Sequence, residues 1–170
     1  MAELSESQKQ TLKAYILADP VLSTKVSGPG TDYAGITDAL NALAVPDFWG
    51  WRTSVSHSEI VTATSGDGTT WSWPAFIARS QGERDGWRQI FADGPINASL
   101  ASVRQAFADI FSGSQNNAPA QRAHLLAIGR RKARVAEKLL ASGTGSTASP
   151  ATFVMDGSIH MTQIADILAA

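Results

Sequence analysis

The chain has 170 residues, 14 Lys and Arg against 15 Asp and Glu for a net charge of −1, and no cysteine. That length fits one domain with room for an extension, and a hydrophobic fraction of 44% can fill a core. The missing cysteines exclude a disulfide framework, thiolate metal ligands and a cysteine nucleophile, and near-neutral charge argues against a dedicated nucleic-acid coat.

The start, MAELSESQKQ, is polar and lacks an apolar signal core. No run approaches the roughly 18 apolar residues that a membrane span needs. The expectation is a soluble protein made inside a cell. Ser5 to Ala18 reads as an amphipathic helix with Leu12, Tyr15 and Ile16 on one side. Ser5 and Gln8 have capping-box spacing, and Asp19-Pro20 stops the helix. After a loop ending in Gly28-Pro29-Gly30, Thr31 or Asp32 caps a second helix through Ile36, Leu40 and Leu43, closed by Pro46.

An aromatic cluster follows at Phe48, Trp49 and Trp51. Ser56 to Glu59 is a second capping-box pattern, before a short helix or strand with Ile60 and Val61. Ser65-Gly66-Asp67-Gly68 is a turn, and Pro74 marks a helix start among Trp71, Trp73 and Phe76. Arg79 to Ala92 places Trp87, Ile90 and Phe91 at helical spacing, although Gly82 and Gly86 weaken it. Ser99 to Phe111 is a clear helix carrying Leu100, Val103, Phe107 and Ile110.

The strongest helical pattern runs from Ala118 to Ala141, with Asn117 as N-cap, Pro119 in the first turn and Gly143 as the stop. At about 100° per residue, Leu125, Ile128, Val135, Ala136, Leu139 and Leu140 share one face. Arg130, Arg131, Arg134 and Lys138 fall on the opposite face. Lys132 points toward the apolar side and must snorkel or find a partner. The run holds six of the 14 basic residues and one acid, Glu137, so a basic rod sits on an acidic body. The basic face could meet DNA phosphates, an acidic patch on another protein or subunit, or only solvent.

Beyond Gly143, the run Thr144 to Ser149 offers no side chain to anchor it. Thr152 to Met155, the turn Asp156-Gly157, and Ser158 to Met161 read as a small hairpin. Thr162 then caps a last helical turn through Ile164, Ile167 and Leu168. The chain thus reads as mainly α: residues 1–141 form a helical bundle body of about five helices, and residues 142–170 an extended C-terminal arm of linker, hairpin and short helix.

Sites of chemistry are hard to find. His57, His124 and His160 are far apart and lack metal-ligand spacing, so they read as structural or surface residues. No GxSxG elbow supports a serine triad, and Asp67 lacks the alternating acids of a calcium loop. Gly143 to Ala148 matches G-x-G-x-x-A, but it follows a helix and runs into Pro150, the reverse of the strand-then-helix order that binds a dinucleotide. The five tryptophans, interleaved with Arg52, Arg79, Arg84 and Arg88, read as core or subunit contacts in preference to base-stacking platforms. No catalytic residue, cofactor or metal is expected.

At RRKARVAEKLLASGTGSTASPATFVMDG, from Arg130 to Gly157, the chain resembles a family of small proteins encoded in tailed-bacteriophage morphogenesis clusters, the head-to-tail connectors or adaptors. The early LKAYILADPVLS and the later WGWRTSVSHSEI add to the likeness, which is densest from Arg130 to Thr152 and poorest from Ala63 to Arg79. The resemblance implies a virion structural protein without catalysis, located at the head–tail interface and made in the host cytoplasm. It implies a mostly helical subunit, a ring of commonly twelve copies between the portal and the tail or nozzle, and an extended C-terminal segment that grips the portal. Gly143, Gly145, Pro150, Phe153, Val154, Met155 and Ile159 are the candidate portal-docking arm. Arg130, Arg131, Arg134 and Lys138 are candidate contacts to a protein partner or to packaged DNA. On this view the body should fold without residues 142–170. The alternative is a small helical DNA-binding or packaging accessory protein that reads phosphates through the same four basic residues.

Overall fold

A computed structural model describes residues 3–170; Met1 and Ala2, the first residues of the expected body, lie outside them. Among the described residues the fold is mainly helical, as expected, with nine α-helices and one small three-stranded sheet. The chain divides into two compact units, one formed by the residues up to Gly50 together with Lys132–Ala170, the other by Trp51–Arg131. The packing therefore draws its boundaries elsewhere than at 141/142.

The first unit begins with α1 (Glu6–Ala18). Ser5 accepts a hydrogen bond from the Gln8 amide while Gln8 Oε1 accepts the Ser5 amide, which satisfies two of the otherwise orphaned N–H groups. Asp32 caps α2 (Tyr33–Asn41) through the Gly35 amide and pairs with Lys25. Two later helices, α8 (Val135–Leu140) and α9 (Met161–Ala169), pack on both α1 and α2. The core of this unit unites Leu12, Ile16, Ile36 and Leu40 from early in the sequence with Ala136, Ile159, Ile164 and Ile167 from late in it.

The second unit holds α3 (His57–Thr62), α4 (Trp73–Ile77), α5 (Gln81–Ile90), α6 (Ala101–Ile110) and α7 (Ala118–Ile128). The segment at Ile60 is a helix, opened by the expected Ser56–Glu59 box. Of the tryptophans of this unit, Trp71 and Trp87 are core, Trp51 is half-buried and Trp73 is exposed. Trp71 stacks on Trp87 at 4.9 Å between ring centroids, and Phe76, Phe107 and Phe111 close around the pair. Trp51 is half-buried under the Arg104 guanidinium, 4.5 Å from its ring centre.

The sheet has the order β2-β1-β3, with β1 Trp49–Trp51, β2 Arg130–Lys132 and β3 Ala151–Thr152. The boundary between units falls inside β1 and again inside β2.

This arrangement corrects the long helix. The run from Ala118 to Ala141 is three elements: α7, strand β2 and α8. Gly129 closes α7 with its amide on the Leu125 carbonyl, and its own carbonyl accepts the Arg52 amide at 2.9 Å. Once Gly129 is paired outward, the chain continues extended. Ala133 donates to Phe48 O at 2.7 Å and accepts from Ala44 N at 2.9 Å. The apolar face that periodicity joined serves two cores: Leu125 and Ile128 belong to the second unit, and Val135, Ala136, Leu139 and Leu140 to the first. Asn117 precedes α7 in the left-handed region, φ 59°, and its side chain makes no cap.

The hairpin centred on Asp156-Gly157 is also replaced. A strand does occur in the C-terminal segment, but it is β3, which pairs with β1 and, through Thr152, with Ser142. The final helix begins at Met161, where Gln163 Oε1 accepts the His160 amide in place of a Thr162 cap, and it runs for nine residues.

Two expectations follow. Deleting 142–170 removes Ile159, Ile164 and Ile167, each worth about 2–5 kcal/mol by analogy with core truncations, a loss comparable with the stability of a whole domain. Far-UV circular dichroism and urea titration should show that the remaining part of the first unit no longer unfolds cooperatively, contrary to a body that folds without its arm. Second, the Glu59 carboxyl is held below its ordinary value of 4.5 by the Ser56 amide first and the Arg52 guanidinium next. A depressed pKa stabilises the fold above the unfolded value and loses that contribution as pH falls through the folded one. The Glu59→Gln variant should therefore lose stability at neutral pH and show a shallower acid limb below about pH 5 in denaturation curves.

Candidate functional site

The residues expected to form a free docking arm are bound into the first unit. Asn41, the last residue of α2, holds Ile159 by both its backbone groups: Oδ1 accepts the Ile159 amide and Nδ2 donates to its carbonyl, each at 2.8 Å. Glu137, fully buried in α8, accepts the Gly157 amide on Oε1 at 2.8 Å and the Arg134 amide on Oε2 at 2.9 Å. These side chains take the backbone groups that a hairpin would have paired internally. Two backbone N–H donors thus address this buried carboxylate.

The small-residue run is anchored, and its smallness is the means. Gly145 lies beneath the Phe48 ring, and a Cβ built there would stand 2.2 Å from the ring. Its φ of 69° also suits glycine, and its carbonyl accepts the Trp49 amide at 2.7 Å. Gly50 meets Phe153 in the same way, with a Cβ position 2.1 Å from the ring. The loop closes on itself through Thr144 Oγ1 donating to Ser149 O and the Ser149 amide donating to Ser146 Oγ. Gly143 has φ 120° against Ala151, so the Gly-x-Gly pattern is a helix-to-strand loop.

Of the candidate arm residues, Phe153 and Ile159 are core, Gly145 is buried, and Pro150 and Met155 are half-buried. Val154 points to solvent with 57% of its surface exposed.

The four candidate basic residues share no helix face. Arg130 and Arg131 lie in β2, where successive side chains point to opposite sides. Arg134 precedes α8, with its guanidinium 3.5 Å from the Asn41 carbonyl. Lys138 lies over the Phe48 ring, 6.0 Å from its centre. Lys132 has found a partner in Asp47, at 2.7 Å.

His124 is fully buried in α7, with Nε2 against the Ile60 carbonyl at 2.8 Å. One turn earlier, Gln121 clamps the backbone on either side of Trp71, accepting the Ser72 amide and donating to the Thr70 carbonyl. Asp67 is held down at about 2 by the Ser65 hydroxyl first and the Thr69 amide next, within its own turn. No group of three or more His, Asp or Glu among the described residues is arranged to hold a metal ion. The residues that sequence reasoning missed are Asn41 and Glu137. Glu137 left a trace as the one acid in a basic run, whereas Asn41 left none.

Compared with known family models, curated proteins and solved structures, the chain matches none.

Replacing Asn41 by alanine leaves a buried-side amide and carbonyl of Ile159 without partners, at a cost of about 1–3 kcal/mol. Urea denaturation of Asn41→Ala should show a lower midpoint with an unchanged slope, whereas Gln89→Ala, on the exposed side of α5, should be near neutral.

Proposed function

We propose that this chain is a structural protein of a tailed-bacteriophage virion, a head-to-tail adaptor that assembles as a ring between the portal and the tail or nozzle protein and carries out no catalysis. The observation that carries the reading is the Arg130–Thr152 segment. It bears the densest likeness to the adaptor family, and in this fold each of its unusual features has a mechanical role. Glu137 receives the returning chain, Gly145 admits the Phe48 ring, and Ala151–Thr152 extends the sheet. A ring subunit must hold its shape under load, and a C-terminal segment built into the core gives that rigidity.

Burial of Phe153 and Ile159 changes how docking would work. Exposing them to grip a portal would open the core, so the partner is met by what the segment leaves outside, Val154 foremost. The second reading, a DNA-binding accessory protein, retains Arg130 and Arg131 on β2 and Arg134 and Lys138 at α8, without a common helix.

Sedimentation of the full-length protein with and without purified portal decides between them. The adaptor reading expects assembly on the portal, weakened about tenfold in Val154→Asp at unchanged melting temperature. Failure of the unmodified protein to associate with portal overturns it. The DNA reading instead expects duplex binding whose log–log salt slope approaches −0.9 per phosphate contact, and no binding at low salt removes it.

A further inference from the structure

Two surfaces of the second unit fit one another. The first is a knob on α4, where Trp73 and Ile77 leave 51% and 64% of their surface exposed, and Pro74 and Ala78 are exposed beside them. Spacing of i and i+4 sets Trp73 next to Ile77 and Pro74 next to Ala78, so the four share one apolar face. The Trp73 ring is held in place, edge-on to Trp71 at 5.7 Å and to Phe76 at 5.9 Å between ring centroids. A positioned, half-exposed tryptophan beside an aliphatic side chain has the make-up of a binding hot spot.

The second surface is a hollow of about 330 Å³ between the end of α5 and α6. Its floor, Ile96, is buried, but its walls Ile90, Pro95, Val103 and Ala106 are half-buried or exposed, so apolar surface is reachable from outside. A hollow of that size admits a large side chain.

Charge relates the two. Arg84 donates to the Ile77 carbonyl at 2.8 Å and so stands beside the knob. Asp93 lines the hollow, exposed and without an ion pair or hydrogen bond among the described residues. Along α5, Arg84 and Ile90 are six residues apart, about 9 Å along the axis and about 120° around it. Knob and hollow therefore use different faces of α5, and they share no residue.

We propose that the α4 knob of one copy of this chain docks into the hollow of a second copy, with Trp73 and Ile77 against Ile90 and Val103, and Arg84 opposite Asp93. A symmetric pair would bring Arg84 toward Arg84, or Asp93 toward Asp93. Head-to-tail docking replaces either repulsion with an attraction. It also leaves one knob and one hollow open at the ends of every oligomer, so copies add until the series closes into a ring. The inference deepens the adaptor reading, and for that closure it rests on it.

The test is sedimentation equilibrium of the full-length protein at rising concentration. The unmodified chain should associate reversibly beyond a dimer. Trp73→Ser should weaken association at least about tenfold, as should Ala106→Lys, which puts a charged side chain in the hollow. Ile77→Lys, at a more exposed position, serves if Trp73→Ser loses its fold. In an equimolar mixture of Ile77→Lys and Ala106→Lys each variant keeps the surface that the other lacks, so the mixture should form a 1:1 dimer and nothing larger. The chain has no cysteine, so copies carrying Ile77→Cys mixed with copies carrying Ser102→Cys, at the exposed rim of the hollow, should be joined by a short bis-maleimide, while neither variant alone should be. An unmodified chain that is monomeric up to about 1 mM, an Ala106→Lys variant that associates normally, a mixture that stays monomeric, or Ile77→Cys copies that join to each other would each overturn the inference. Portal association is scored separately. A chain that binds portal but stays monomeric alone sinks this inference only, and one that self-associates but ignores portal sinks only the adaptor reading.

Discussion

A unit whose core comes from both ends of its chain cannot close until those ends meet, and the first unit of this protein is built that way. Ile36 and Leu40 find their partners in Ile159, Ile164 and Ile167, more than a hundred residues later. Apolar burial drives that meeting but does not fix its register, since isoleucine side chains slide over one another at little cost. Register comes from hydrogen bonds with direction. Asn41 engages both backbone groups of Ile159, and Glu137 takes the amide of Gly157. Between them these side chains locate the segment that leads into α9.

The same segment shows how small residues hold a chain. A glycine cannot pack its own side chain, but it lets a ring come against the backbone. Phe48 over Gly145 and Phe153 over Gly50 are two such contacts, on opposite partners of one interface within the first unit. Each places an aromatic face where a Cβ would collide. A run of Gly, Ser and Thr can thus be among the more constrained parts of a fold when its neighbours are aromatic.

These constraints bear on function. The C-terminal segment is held by core isoleucines and buried polar clamps, so under the proposed function any docking would use its outer surface. That surface adjoins the start of α1, where Glu3, Glu6, Asp156 and Asp166 line two hollows.

The sequence by itself determined the local elements whose causes are local. Serine followed three residues later by glutamine or glutamate marked the starts of α1 and α3, Thr31 or Asp32 marked α2, where Asp32 is the cap, and Pro74 marked α4. Alternation and spacing gave the mainly helical class and a strand in the C-terminal segment. Only the tertiary structure decided where the run from Ala118 to Ala141 breaks. A 3.6-residue period continues across Gly129 in the sequence, yet the Gly129 carbonyl is taken by Arg52 and the Ala133 amide by Phe48. Periodicity records which side of each residue is apolar, and it cannot record which of two cores that side will face. Helix propensity, a few tenths of a kcal/mol per residue, gave way there to strand pairing and burial set by residues about eighty positions away.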